Sequence, residues 1–372
     1  MGKIKIIANY LPQFHVTREN SQWWGEGYTD WEAVKKATPV YEGQIQPREP
    51  YNNYYYDLSQ KESLKWQAEL ASEYGIYGFG IYHYWFNSDT NILSKPAEIL
   101  LDNKDIDINY LFIWDNATWK RTWSNVKGYA NDWVHTNEDS DGTNGVLAEL
   151  SYGCEVDWKK HFDYLLPFFK DDRYIKINNK PVFTFFNQYN DTEKIQAMIS
   201  YWNKLAIQSG FEGVYVIGRY DGSDKSTLDY EYTYEPSYSA FLNKTIAEKI
   251  KNKFKTKILK MKGIDYYQYD KVWGSIIEFA KKSAGKKIYY GGICAYDDTP
   301  RRGKNAKIIL NSTPEKFRKY LKSLTDISLS QGKEYLFLTA WNEWGEGAYL
   351  EPDVENEFKY LEAVRAVVRE SE

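Results

Sequence analysis

Tyr335-Leu336-Phe337-Leu338-Thr339-Ala340-Trp341-Asn342-Glu343-Trp344-Gly345-Glu346-Gly347 carries an apolar run that stops at a cluster of indole, amide and carboxylate groups. The run reads as a strand buried on both faces, as strands of parallel sheets are. Seven more short apolar runs lie upstream, at 4–8, 78–82, 110–114, 181–186, 214–218, 230–234 and 288–294. Longer amphipathic segments alternate with them, at 58–74, 157–170, 191–209, 266–284, 313–331 and 357–370. Thr313-Pro314 begins one of these well, with a capping hydroxyl followed by Pro at the first helical position. The alternation predicts a single (β/α)8 barrel over residues 1–372. Two long inserts, about 120–155 and 222–262, read as elaborated loops at its C-terminal face. An open doubly wound sheet would be favoured by a Gly-rich phosphate loop after the first strand, and 9–13 contains no Gly.

Composition narrows the function. A net charge of −4 provides no basic field, so nucleic acid is not an expected partner. Cys154 and Cys294 are the only cysteines, which builds no disulfide framework and suits a reducing compartment. The opening apolar run is too short for a signal peptide, and no run approaches the roughly 18 apolar residues of a spanning helix. A cytoplasmic protein is expected. Aromatic residues make up 17 %, with 14 Trp and 34 Tyr, enough to fill a core and line a site.

Barrel enzymes work at the C-terminal ends of their strands. Here those ends carry rings, amides and acids. Tyr10, Gln13 and His15 follow the first strand; His83, Tyr84 and Trp85 end the second; Trp114, Asp115, Asn116, Trp119 and Trp123 follow the third. Asp297 with Arg301-Arg302 follows the seventh, and Trp341, Asn342, Glu343 and Glu346 the eighth. Aromatic faces stack on sugar C–H surfaces while amides and acids bind hydroxyls, so an oligosaccharide or polysaccharide is the expected partner. Glu343 and Glu346, three residues apart, offer the proton acceptor and donor of glycosidic chemistry. Gly345 and Gly347 suit a sharp loop there rather than the first turn of a helix. Neither His nor Cys shows metal-ligand spacing, no G-x-S-x-G elbow occurs, and nothing calls for a cofactor or metal. Asp105-Ile106-Asp107 and Asp139-Ser140-Asp141 match the D-x-D of sugar-nucleotide transferases, but neither follows a strand.

Asn342-Glu343-Trp344-Gly345-Glu346-Gly347 with Leu350-Glu351-Pro352 resembles the N-E-W-x-E-G…E-P signature of glycoside hydrolase family 99 and its relatives. Tyr10–His15, Trp23–Trp31, Tyr82–Phe86 and Asp297–Gly303 are similar to its WbsX-like branch in particular, and the likeness runs from about residue 4 to 365. The resemblance implies a (β/α)8 barrel and retaining, endo-acting cleavage of α-mannosidic bonds. It implies that Glu343 is the base on the substrate's own 2-hydroxyl, giving a 1,2-anhydro sugar. Glu346 is then the acid for the leaving oxygen and the base for the incoming water or acceptor. Trp24 joins the expected sugar contacts: Tyr10, His83, Tyr84, Trp85, Trp114, Asn116, Trp119, Asp297, Trp341 and Asn342. The hydrolases usually carry His where this chain has Gly345, and the branch usually has an acid where it has Ala117. Glu346 should owe a raised pKa to Trp341 and Trp344. The alternatives are a glycosyltransferase of surface-polysaccharide (O-antigen or capsule) synthesis, with Arg301-Arg302 as the basic pair for a diphosphate, and a non-catalytic glycan-binding protein.

Overall fold

A computed structural model describes residues 3–120, 145–223, 226–242 and 264–371. The strands of the barrel are β1 (Lys5–Tyr10), β2 (Gly78–Asn87), β3 (Asn109–Trp114), β4 (Lys180–Phe185), β5 (Tyr215–Arg219), β6 (Tyr230–Tyr232), β7 (Ile288–Ile293) and β8 (Tyr335–Thr339). Each pairs in parallel with its sequence neighbour, and β1 pairs with both β2 and β8. The registers Ile7↔Gly78 and Lys5↔Tyr335 close the cylinder. The eight apolar runs of the sequence are therefore the eight staves.

Outside lie helices α1 (Lys61–Glu73), α2 (Lys95–Asp102), α3 (Glu155–Lys170), α4 (Thr192–Gln208), α5 (Tyr269–Lys282), α6 (Pro314–Ser330) and α7 (Lys359–Arg369). Their apolar stripes face the staves: Leu64, Ala68 and Ala71 of α1 are buried, as are Phe317, Leu321 and Leu324 of α6. Thr313 caps α6, accepting a hydrogen bond from the Lys316 amide at 3.3 Å, and Asp191 does the same for α4 through Lys194 at 3.1 Å.

Two details depart from simple alternation. The described residues between β5 and β6 hold no helix. The segment Asp265–Gln268, expected to open a helix, instead pairs in parallel with Lys307–Leu310 beside the barrel. Its residues Asp265-Tyr266-Tyr267-Gln268 are strand formers, and α5 starts only at Tyr269.

Gly291 in β7 shows how closely two staves approach. Its amide donates to Thr233 Oγ1 at 2.7 Å, and a Cβ there would overlap the Thr233 carbonyl oxygen. Gly291→Ala should cost about 1–3 kcal/mol by overpacking, read as a lower denaturant midpoint with an unchanged slope.

Candidate active site

The segment after β8 turns back at once. The Trp341 amide donates to Asn9 O at 2.7 Å. Asn342 then stitches the segment to the end of β1: its Oδ1 accepts from the Leu11 amide at 2.7 Å and its Nδ2 donates to Leu11 O at 3.0 Å. Asn342-Glu343 pairs antiparallel with Ala348-Tyr349 across a tight turn, Trp344–Glu346. Glu343 and Glu346 thus sit on one small hairpin, and both line a cavity of about 250 Å³ at the mouth of the barrel.

The cavity wall is largely aromatic. Tyr82 and Tyr84 come from β2, Phe186 and Tyr234 follow β4 and β6, Trp24 ends the short helix Arg18–Trp24, Tyr28 lies just after it, and Trp119 stands on the short strand Trp119–Lys120. Tyr84 and Trp119 meet edge to face at 4.9 Å, and the hydroxyls of Tyr82 and Tyr234 lie 3.1 Å apart. Asp30 and Asp115 bring the acids on the wall to four, and Asp115 Oδ2 accepts from Trp119 Nε1 at 3.2 Å. Burial pushes its carboxyl up to about 6.

One guanidinium organises the acids. Arg301 donates from Nη1 to Glu346 at 2.9 Å, and from Nη2 to Asp30 at 2.8 Å and Glu343 at 3.3 Å. Gly345 makes room for it, since a Cβ there would stand 2.6 Å from Arg301 Nε and 2.9 Å from Asp30 Oδ2. Burial raises the pKa of Glu343, which is 4 % exposed, and Arg301 opposes the rise. The side chain of Glu346 is 23 % exposed. The expected apolar cover of Glu346 is therefore found over Glu343 instead.

Several expected sugar contacts lie elsewhere. Trp344 stacks on Tyr349 at 3.7 Å and donates to Glu351 at 2.6 Å, and Trp341 is wholly buried. Tyr10 donates to Gln67 at 2.7 Å, Gln67 donates to Glu351 at 2.7 Å, and Asn342 is spent on Leu11. The expected contacts Tyr10, Trp341 and Asn342 therefore do not line the cavity. His83 and Trp85 alternate with Tyr82 and Tyr84, so the pleat sends them out toward α3. There His83 Nε2 meets His161 Nε2 at 2.8 Å, and Trp85 stacks on His161 at 4.4 Å. Trp114 faces the same layer and donates to Trp85 O at 2.8 Å. Asn116 joins the ends of β3 and β4, with Asn187 donating to its Oδ1 at 2.7 Å. Asp297 holds down the 44–46 loop, accepting from Gln44 at 2.8 Å and Gln46 at 3.1 Å. Of the expected contacts, Trp24, Tyr84 and Trp119 line the cavity with both Glu residues.

Tyr82, Tyr234, Asp30, Asp115 and Arg301 line it as well, outside that set. Tyr82 could have been found from strand parity, by pairing it with Tyr84. Asp30 had no such signal, and Arg301, read as one of a basic pair after β7, gave no sign of its acid partners, because it meets Asp30 across 271 residues of sequence. Arg302 pairs with Asp298 at 2.9 Å, so both members of the basic pair are held by acids. Asp105 is half exposed and bound by Lys61 at 2.8 Å, away from the cavity. Trp123 and Asp139-Ser140-Asp141 lie outside the described residues. Among the described residues no group of three His, Cys, Asp or Glu is disposed to hold a metal ion, and no helix is long and apolar enough to cross a membrane.

The sequence model of the family described as Glycosyltransferase WbsX matches residues 6–364. The chain belongs to that family. Two curated relatives from Xanthomonas campestris pv. campestris, both named "Uncharacterized protein WxcX", are 26 % identical over 370 and 369 residues, 97 % of this chain. The chain spans about half of their length, 49 % of each. Among solved structures, a GH99 endo-alpha-mannosidase from Bacteroides thetaiotaomicron aligns with a TM-score of 0.56 and 14 % identity, over 98 % of this chain and 97 % of that one. A protein described as glycoside hydrolase-like aligns at 0.58 and 13 %, over 99 % and 94 %. At such identity the likeness is one of fold alone.

Glu235, next to Tyr234 in this WbsX family member, is 1 % exposed and bonded to the amide and hydroxyl of Ser239 at 3.0 and 2.7 Å. Burial pushes its carboxyl up to about 8. The folded protein therefore holds this proton more tightly than the unfolded chain. The stability it contributes is full below the ordinary pKa of about 4.5 and is lost as pH rises toward 8. Glu235→Gln keeps both bonds to Ser239 without a charge. Its melting temperature should match wild type near pH 5 and exceed it at pH 9.

Proposed function

We propose that the chain is a retaining, endo-acting glycoside hydrolase, or transglycosylase, acting on a mannose-like bacterial glycan. The observation that carries this reading is that Glu343 and Glu346 flank one guanidinium at the mouth of an aromatic-lined cavity. In the first step Glu343 takes the proton of the substrate's 2-hydroxyl. O2 then bonds to C1 as the glycosidic C–O bond breaks, and Glu346 gives its proton to the departing oxygen. In the second step Glu346 takes a proton from water or an acceptor hydroxyl, whose oxygen attacks C1. The 1,2-anhydro ring opens and Glu343 returns the proton to O2. The high pKa that burial gives Glu343 supports its role, because a stronger base suits a weakly acidic hydroxyl. The exposure of Glu346 supports contact with an acceptor.

The family's description raises a glycosyltransferase as the second reading. A diphosphate donor would need free cationic groups, and the ion pairs of Arg301 and Arg302 with Asp30, Glu343, Glu346 and Asp298 weigh against it. The experiment incubates the protein with α-mannan oligosaccharides and bacterial polysaccharides, and in parallel with labelled sugar nucleotides. Shortened or rearranged glycan is the expected product; nucleotide release without glycan cleavage would favour the transferase. Glu343→Gln and Glu346→Gln should each lose about 10²–10⁴-fold in kcat, roughly 3–5 kcal/mol of barrier. Near wild-type turnover by both would remove the assignment.

Trp119 should serve as a stacking wall. Trp119→Ala, made in the Glu346→Gln background so that substrate persists, should weaken glycan binding by about tenfold, or about 1.4 kcal/mol, measured by titration calorimetry.

A further inference from the structure

Arg301 stands where no sugar-binding reading puts it. Its three carboxylate partners come from two segments: Asp30 after β1, and Glu343 and Glu346 on the hairpin after β8. Its approach depends on the absence of a side chain at 345, since a Cβ there would lie 2.6 Å from its Nε and 3.3 Å from its Cζ. The hairpin and the guanidinium thus fit one another as a built arrangement rather than a surface ion pair. We propose that Arg301 is a positioning residue: it clamps Glu343 and Glu346 from the side that a residue-345 side chain would fill, and its charge opposes protonation of Glu343. This rests on the reading of Glu343 as the base.

The groups facing Glu343 leave the task to Arg301. Asp30 after β1, Tyr82 and Tyr84 of β2, Tyr234 after β6 and Glu346 of its own turn surround it. Each of these is neutral or negative, and burial and the neighbouring acids favour the protonated form. Arg301 alone in that shell favours the carboxylate. Asp30 accepts at 2.8 Å from the same Nη2 that reaches Glu343, and so holds the guanidinium in place between the acids.

The test needs no substrate, so its failure is separate from failure of the glycosidase reading. Protein labelled with [13C]glutamate is titrated by NMR, and the Glu343 carboxyl resonance is identified as the one lost in Glu343→Gln. In Arg301→Met its midpoint should rise by about one to three pH units, the range expected for an opposite charge within a few ångströms. Arg301→Lys, which retains the charge, should restore most of the shift. Gly345→Leu leaves residue 301 intact but fills its space, and should raise the midpoint as Arg301→Met does. It also serves if Arg301→Met does not fold. An unmoved Glu343 midpoint in the folded variant, or an equal rise in Arg301→Lys, overturns the proposal.

Discussion

One cation shared by three acids sets the character of this site. Arg301 lies within 3.3 Å of Asp30, Glu343 and Glu346, and no second described cation joins that set. With every acid ionised the cluster would hold two uncompensated negative charges. Two like charges about 4 Å apart cost about 4 kcal/mol at the effective dielectric of a protein surface. Burial raises the pKa of Glu343, and a proton held there relieves that repulsion.

The geometry of the cluster depends on the seam between the first and last strands. Asn342 bridges both backbone groups of Leu11, and the Asp30 amide donates to Gln13 O at 3.3 Å. Beneath the hairpin, Tyr10, Gln67, Glu351 and Trp344 form a buried chain of hydrogen bonds. Glu351 also accepts from Tyr56 at 2.8 Å, so the lone pairs of its carboxylate are well used. A satisfied buried network of this kind holds a single geometry, whereas an unpaired member would cost more than an apolar core. Much of the aromatic content is of this supporting sort, rings that fill the core while their polar ends complete bonds.

The barrel was legible because strands buried on both faces read as apolar runs, and all eight runs are staves. Helix starts were legible at Thr313 and Asp191, where capping is local chemistry. The strand Asp265–Gln268 was not, because a helical pattern over 266–284 does not reveal where the helix begins. In the site, the two Glu residues were legible as a pair on a tight turn. The aromatic ones were sorted poorly for a physical reason. When both faces of a strand are apolar, alternation separates Tyr82 and Tyr84 from His83 and Trp85 without showing which pair faces inward. Only the packing of His83 and Trp85 on His161 decides it. Arg301 could be seen as a basic residue near a strand end, but its partners at 30, 343 and 346 are set by the closed fold.

The unequal exposure of the two carboxylates bears on how the proposed chemistry would divide. Glu343 is 4 % exposed and is held by Arg301 through Oε2. A carboxylate fixed in this way can accept a proton from a hydroxyl laid against it, but it has little freedom to move toward an anomeric carbon. That limits its use as a direct nucleophile and favours the substrate's own hydroxyl in that part. Glu346, with its side chain 23 % exposed, would on the proposed mechanism meet the leaving group and the incoming acceptor. Water and a sugar hydroxyl compete at the same carboxylate. On this reading, hydrolysis and transglycosylation differ only in which acceptor the cavity mouth admits to Glu346. The aromatic wall beside it, Trp24, Tyr28 and Trp119, then bears on the outcome more than the acids do. A ring that holds an acceptor sugar both raises its local concentration and excludes water.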